Sequence, residues 1–189
     1  MVNKYIVLDV ETQKAFEDVE GRKTRELGIS VVGLYQSHLN QYTAIEEKDI
    51  KQLNSILGEF HLVIGFNIKS FDYEVLQPYL NIPLAKLPTL DILEDIKNTL
   101  GHRVSLNSVA GATLGMKKTG DGLEAIHLYR TGQIEKLKSY CLNDVKLTKE
   151  VYEFGLQHQL LKYFARDGVT IKELKVNWKP IAPAELSLF

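Results

Sequence analysis

The chain has 189 residues, of which 44% are hydrophobic and 25% are charged, and its formal net charge is -1. Such a composition excludes a mainly disordered chain, and the length favours one domain over two. The near-equal numbers of basic residues, 23, and acidic residues, 24, exclude a global basic surface for long nucleic acids. A nucleic-acid partner would therefore have to be held locally or through metal ions.

The location of the protein is predicted from what the sequence lacks. No apolar stretch reaches the roughly 18 residues that a membrane span requires, and the apolar run at the N-terminus ends at Asp9, too early for a secretory signal peptide. The single cysteine, Cys141, rules out an internal disulfide. We therefore expect a cytoplasmic protein without membrane contact.

Strands dominate the predicted structure of the first third of the chain. Residues Lys4–Val10 form a nearly continuous apolar run, which is typical of a strand buried on both faces. The polar segment Thr12–Glu26 is typical of a loop. Strands are then expected at Gly28–Tyr35, His38–Ile45 and His61–Phe66, and a helix is expected at Asp49–Phe60, before the last of these strands.

The remainder is predicted to be mainly helical. Ser70 is expected to cap a helix that runs to Leu80, with Pro78 disturbing its last turn. Further helices are expected at Asp91–Leu100, Ser105–Leu114, Gly122–Tyr129 and Gln133 to about Gln159, and a final strand at Val169–Val176. This order of elements predicts an α/β fold in which helices cover a mixed sheet.

A domain covering residues 1–176 and an extended C-terminal tail, 177–189, are expected from this map. The tail contains Trp178, Pro180 and Pro183. It is a candidate docking segment for a protein partner, although such a terminus is more often only a ragged end.

Asp9 and Glu11 are the first candidates for a functional site. They lie two residues apart at the end of a predicted strand, so their side chains share one face with Cα atoms about 6.6 Å apart. That spacing suits one hard cation, but two acidic residues leaving a strand for solvent would look the same. The apolar run before Asp9 favours the cation, because a buried charge requires a partner.

Three further candidates are weak when each is taken alone. Asp72 falls in a predicted first helical turn, where the helix dipole is a sufficient explanation for an acidic residue. Tyr140 and Asp144 are four residues apart on one helix face, but Asp144 alone is better explained as an exposed polar position. Cys141 is interpreted as a small core residue rather than a reactive thiol.

Taken together, these residues form a recognisable pattern. The segments LDVET, VIGFNIKSFD and YCLNDVKLTKEVY occur in that order. They resemble the three motifs of the 3′–5′ exonucleases in the ribonuclease H-like superfamily, which are named for four acidic residues. The resemblance covers residues 4–153 and is greatest to the proofreading domains of family-B DNA polymerases. Tyr140 stands four residues before the last aspartate, whereas Ser139 stands where the histidine branch has its histidine, so the tyrosine (DEDDy) branch is indicated.

The resemblance implies a fold, a cofactor and an activity. The fold is a ribonuclease H-like mixed five-stranded sheet flanked by helices, and the cofactor is a pair of divalent cations, Mg²⁺ or Mn²⁺. Asp9 would bridge both cations, Glu11 and Asp144 would complete the first site, and Asp72 would serve the second through water. Tyr140 and Glu11 would orient the attacking water.

The implied reaction releases nucleoside monophosphates from the 3′ end of a single-stranded nucleic acid. DNA is the favoured substrate and RNA is the alternative. The implied biological role is in DNA repair. Phe66 would stack on the terminal nucleotide and Asn67 would hydrogen-bond to it, although Phe66 is explained equally well as a core residue. Candidates for backbone contacts, each more often a solvated charge, are Lys69, Arg103, Lys117 and Lys118.

Two other functions stay open at this point. One is a non-catalytic module of the same fold that binds nucleic acid or docks a partner. The other is a ribonuclease H-like endonuclease.

Overall fold

The computed structural model describes residues 4–116 and 122–180. Its main sheet has five strands, which are β1 (Tyr5–Thr12), β2 (Ile29–Gln36), β3 (Gln41–Glu46), β4 (Leu62–Gly65) and β5 (Thr89–Asp91). The strand order is β3-β2-β1-β4-β5, with antiparallel pairing among the first three strands in the chain and parallel pairing of β1 with β4 and of β4 with β5. The predicted mixed five-stranded sheet is therefore confirmed.

Helices flank this sheet, as predicted. They are α1 (Leu53–Ile56), α2 (Asp72–Leu76), α3 (Ile92–Leu100), α4 (Leu106–Leu114), α5 (Gly122–Arg130) and α6 (Ile134–His158). Short 3-10 helices occur at Phe16–Asp18, Glu20–Arg22, Thr24–Glu26, Glu47–Gln52, Leu57–Glu59, Gln77–Tyr79 and Leu84–Lys86. A separate antiparallel hairpin consists of β6 (Leu160–Phe164) and β7 (Ile171–Lys175). Within the described residues, no helix combines the length and hydrophobicity that crossing a bilayer requires.

Strand β1 lies at the centre of the sheet, between β2 and β4. Its side chains alternate between two cores: Ile6 and Leu8 pack with α1 and α2 residues, whereas Val7 packs with residues of α3, α4 and α6. Because side chains alternate along a strand, Asp9 and Glu11 point to the same side as Val7. This alternation directs both carboxylates towards α6.

The sequence-based map was wrong in several places. The fifth strand of the sheet is Thr89–Asp91, a three-residue element too short to show a periodic pattern. The predicted last strand, Val169–Val176, does form a strand, but it pairs with β6 instead of the main sheet. Ser70 does not cap α2, since the N-cap position is Phe71 and no side chain caps the helix.

Other differences concern helix lengths. Only the middle of the predicted helix Asp49–Phe60 is α-helical, and 3-10 turns flank it on both sides. Helix α2 ends at Leu76 and continues as a 3-10 turn that contains Pro78. Helix α6 runs through Gly155 without interruption and ends at His158.

The described part of the predicted tail packs against the core. Trp178 is only 7% exposed and stacks on Tyr152 with 5.8 Å between ring centroids. Its Nε1 donates a hydrogen bond to Asp95 Oδ2 at 2.8 Å. A Cβ atom at Gly155 would lie 2.3 Å from the Trp178 ring, so the glycine makes room for the indole. Residues 181–189, with Pro183, and the candidates Lys117 and Lys118 lie outside the described residues.

Candidate active site

All four predicted acidic residues line one cavity of about 500 Å³. Asp9 and Glu11 enter it from β1, Asp72 from the first turn of α2, and Asp144 from the middle of α6. The rest of the wall is formed by Val10, Thr12, Lys14, Ala15, Phe16, Glu17, Leu27, Phe66, Phe71, Gly122, Leu123 and Ile126. Three segments distant in sequence thus bring carboxylates into a single space, which we call the acidic cavity.

Asp9 and Glu11 lie close together and close to Cys141. One carboxylate oxygen of each residue and the Cys141 Sγ all lie within 4.8 Å of one another. The Sγ atom is 3.6 Å from the Asp9 carbonyl oxygen and 3.7 Å from Asp9 Oδ2. Burial raises the pKa of the Cys141 thiol well above its usual value, and the carboxylates of Asp9, Glu11 and Asp144 raise it further. The thiol is therefore protonated at neutral pH and donates to Asp9.

Asp72 is a buried carboxylate of the cavity with a perturbed pKa. It is 3% exposed, and its Oδ1 accepts a hydrogen bond from the Val10 backbone N–H at 2.9 Å. Burial raises the pKa of Asp72 well above its usual value, and the negative charge of Asp9 raises it further. A buried carboxylate beside another carboxylate is stabilised by a cation between them.

The residues present fit hard divalent cations. The cavity wall carries five carboxylates, the four predicted ones and Glu17, against one lysine, Lys14. Carboxylate oxygens are the ligands that Mg²⁺ and Mn²⁺ prefer. The donor set therefore matches the predicted cofactor, with Asp9, Glu11, Asp72 and Asp144 as the residues able to hold it.

Tyr140 does not line the acidic cavity. It is buried in a cluster with Val31, Ala125, Leu128, Leu137 and Cys141. Together with Asn143 it lines a neighbouring cavity of about 580 Å³. Helix α6 thus directs Asp144 into the acidic cavity, while Tyr140, one turn earlier, packs under α5.

Phe66 and Asn67 occupy different positions relative to the cavity. Phe66 is half-buried and lines it, whereas Asn67 lies beside it in a left-handed backbone conformation with φ of 71°. The Asn67 backbone N–H donates to Asp91 Oδ1 at 2.9 Å, and its side-chain Oδ1 accepts from Arg103 Nη2 at 2.7 Å. Asp91 also accepts from the backbone N–H groups of Leu93 and Glu94 at the start of α3. The carboxylate of Asp91 therefore fixes both the Asn67 loop and the helix.

Sequence reasoning missed the aromatic wall of the cavity. Phe16 and Phe71 line it together, with 6.2 Å between ring centroids in an edge-on arrangement. Phe16 belongs to the polar loop that follows the first acidic motif, and that loop borders the cavity from Lys14 to Glu17. The signal in the sequence that could have indicated this wall was the phenylalanine Phe16 within a charged loop.

The fold and the acidic cavity define a class of protein. It is an α/β protein with a carboxylate site at the carboxyl end of the central strand of a mixed sheet. A family model described as the RNase_H superfamily matches residues 6–178. The chain belongs to the RNase H superfamily.

Solved structures give the same fold. The family B DNA polymerase from the hyperthermophilic archaeon Pyrobaculum calidifontis superposes with a TM-score of 0.63 at 15% identity, covering 82% of this chain and 25% of the polymerase. Trypanosoma brucei RNase D superposes with a TM-score of 0.58 at 15% identity, covering 80% of this chain and 57% of RNase D. The chain therefore spans only part of the length of either similar structure. A search of curated protein sequences found no match to the chain.

Proposed function

We propose that the protein is a 3′–5′ exonuclease that depends on divalent metal ions and acts on single-stranded nucleic acid, with DNA preferred. The observation that carries this proposal is the convergence of Asp9, Glu11, Asp72 and Asp144 on one cavity. Membership of the RNase H superfamily supports a nuclease. A likeness to a DNA polymerase and to a ribonuclease supports exonucleolytic removal of nucleotides.

The size of the acidic cavity favours attack at an end of the strand. Its volume of about 500 Å³ lies within the range of small-ligand sites, roughly 300–1,000 Å³. It is therefore suited to one terminal nucleotide. Phe16, Phe66 and Phe71 offer the aromatic surface on which a base would stack.

The carboxylates have distinct parts in the proposed reaction. Asp9, Glu11 and Asp144 would hold one divalent cation, and Asp9 with Asp72 would hold the second. When bound, such a pair supplies charge neutralisation and an activated water for phosphodiester hydrolysis. The carboxylates would hold these cations in fixed positions and so would orient the scissile phosphate, and positioning is the main demand of phosphoryl transfer.

Tyr140 is proposed as a positioning residue for the attacking water, on the strength of the sequence resemblance. Tyr140 lies one turn of α6 before Asp144. Since Tyr140 packs under α5, its contribution is separable from that of the carboxylates by mutation.

RNA is the second candidate substrate, because one of the two similar structures is a ribonuclease. The chemistry of the carboxylate site is the same for both nucleic acids. Discrimination depends on contacts to the 2′-hydroxyl group.

The proposal is tested with 5′-labelled single-stranded DNA and RNA of the same sequence in Mg²⁺ or Mn²⁺. We expect a ladder of products shortened stepwise from the 3′ end, and no cleavage in EDTA. Asp144→Asn should lower the rate by about 100-fold or more while the far-ultraviolet circular dichroism stays unchanged. Asp49→Asn, at an exposed aspartate in the Glu47–Gln52 turn, is the matched control and should cleave normally.

Four outcomes would contradict the proposal. Cleavage of a circular single strand would identify an endonuclease, and binding without cleavage would identify a non-catalytic module. Cleavage that persists in EDTA, or at full rate in Asp144→Asn, would remove the metal site from the reaction.

A further inference from the structure

A second groove lies outside the acidic cavity, between the start of α4 and the loop that joins β6 to β7. It consists of two adjoining cavities of about 280 and 520 Å³ that share the residues His102, Tyr163, Ala165 and Arg166. Arg103 lines the first cavity and Lys172 the second. We call it the basic groove after Arg103, Arg166 and Lys172.

The basic groove presents positive charge in a chain whose formal net charge is -1. Over residues 4–116 and 122–180, none of the three cations Arg103, Arg166 and Lys172 forms a salt bridge. Asp167 also lines the groove, but its carboxylate accepts hydrogen bonds from the backbone N–H groups of Val169 and Thr170 and from the Thr170 hydroxyl. The hydrogen bond from the Thr170 hydroxyl lowers the pKa of the Asp167 carboxyl group, and the positive charge of Lys172 lowers it further. Three cations against one carboxylate still leave the groove with a positive charge that attracts anions.

Reciprocal hydrogen bonds hold the hairpin against α4. The Ser108 hydroxyl accepts from the Phe164 N–H at 2.9 Å and donates to the Phe164 carbonyl at 3.1 Å. The Thr113 hydroxyl makes the same pair of bonds with Lys162, at 2.9 and 2.8 Å. A Cβ atom at Gly111 would lie 2.9 Å from the Phe164 ring, so this contact is close-packed. Arg166 is therefore carried on a hairpin with a fixed position opposite Arg103.

A hydrogen bond links a residue beside the acidic cavity to a residue of the basic groove. Phe66 lines the acidic cavity, and its neighbour Asn67 accepts a hydrogen bond from Arg103 Nη2 at 2.7 Å. Arg103 in turn lines the groove. A strand that leaves the acidic cavity past Phe66 would therefore meet the Asn67–Arg103 pair and then Arg166, which lines the groove with Arg103.

We propose that the basic groove binds the phosphate backbone of the single strand on the 5′ side of its terminal nucleotide. The inference rests on the proposed function, which places the 3′ end in the acidic cavity. Guanidinium groups bind phosphates with paired hydrogen bonds. The local cations also account for nucleic-acid binding by a chain without a global positive charge.

The test compares Arg166→Ala/Lys172→Ala with the wild type on a trinucleotide and on a dodecanucleotide. Loss of two phosphate contacts lowers the slope of log affinity against log salt by about 1.4, which at 0.1 M salt is about a 25-fold loss of affinity. We expect this loss for the dodecanucleotide in fluorescence anisotropy with EDTA present. The ratio of kcat/KM for the dodecanucleotide to that for the trinucleotide should fall by a similar factor.

The matched control is Lys51→Ala/Lys175→Ala, which also removes two exposed positive charges. Lys51 lies in the Glu47–Gln52 turn, and Lys175 ends β7 at the other end of the hairpin from Lys172. An equal loss of affinity in both double variants would show a non-specific charge effect and overturn the proposal, as would unchanged dodecanucleotide affinity in Arg166→Ala/Lys172→Ala. Binding that depends on the groove without any cleavage would support the groove and reject the nuclease function.

Discussion

Replacing Gly33 with alanine should disturb the spacing between the strand and the helix that carry Asp9 and Asp144. Gly33 lies on β2 directly opposite Asp9 of β1. A Cβ atom at this position would lie 2.8 Å from Val145 Cγ2 and 2.9 Å from Cys141 Sγ, both on α6. Carbon atoms in contact lie about 3.5–4.0 Å apart. Helix α6 or its side chains must therefore retreat by roughly 0.7 Å or more.

This displacement has two measurable consequences. Overpacking of this kind costs about 1–3 kcal/mol, which lowers the Tm of a chain of this length by roughly 2–12 °C. Since Asp144 moves with α6, the half-saturating Mn²⁺ concentration for activity should rise. The rate should fall by up to about 100-fold, because a misplacement near 1 Å can cost that much.

Manganese titrations of the initial cleavage rate, with thermal unfolding followed by circular dichroism, measure both effects. Gly58→Ala is the matched control, because a Cβ atom there meets nothing within 4 Å. It should leave the rate and the Mn²⁺ dependence unchanged. A Gly33→Ala protein with reduced Tm but wild-type rate and Mn²⁺ dependence would refute the argument that this packing contact sets the site geometry.

Three other variants test separate parts of the account. Tyr140→Phe should lower the single-turnover rate by about 100-fold while the Tm increase on adding Mn²⁺ stays the same; an unchanged rate would remove Tyr140 from the mechanism. The raised pKa of Asp72 means that the folded state binds its proton more tightly, so the free energy of unfolding in EDTA should fall as pH rises above about 4. Asp72→Asn should weaken that dependence in urea titrations across the pH series, and an unaltered slope would contradict the cause given for the shift. Trp178→Ala should destabilise the fold by about 3–5 kcal/mol in urea; unchanged stability would show that Trp178 is dispensable to the core.

The parts of the fold that were predicted from sequence are those with long or continuous patterns. The nearly continuous apolar run Lys4–Val10 covers most of strand β1, and this pattern directly reflects a central strand buried on both faces. Helix α6 shows the apolar repeat over many turns. Strand β5, with only three residues between Pro88 and α3, carries no period from which it could be recognised.

The acidic residues of the site were predicted from the sequence, but several of its contacts were not. The acidic residues were identified because their types and order resemble a family pattern, and the structure places all four at one cavity. The contact between Cys141 and Asp9 and the placement of Tyr140 under α5 depend on how α6 is rotated against β1 and α5. Helical spacing determines whether two residues lie on the same face of a helix, but it does not determine which neighbouring element that face contacts.

The hairpin of β6 and β7 was also predicted only in part from the sequence. The sequence predicted a strand that covers all of β7, but its partner β6, which follows immediately after α6, was not predicted. Strand β6 is held against α4 by the hydroxyl groups of Ser108 and Thr113, and no local pattern in either segment indicates these contacts.

A crystal of the protein soaked in Mn²⁺ with a short single-stranded oligonucleotide would test the central claim most directly. Anomalous scattering should show two manganese ions among the carboxylates of Asp9, Glu11, Asp72 and Asp144, with the 3′-terminal phosphodiester beside them. Manganese bound only elsewhere on the protein, with these four carboxylates free of metal, would contradict the account.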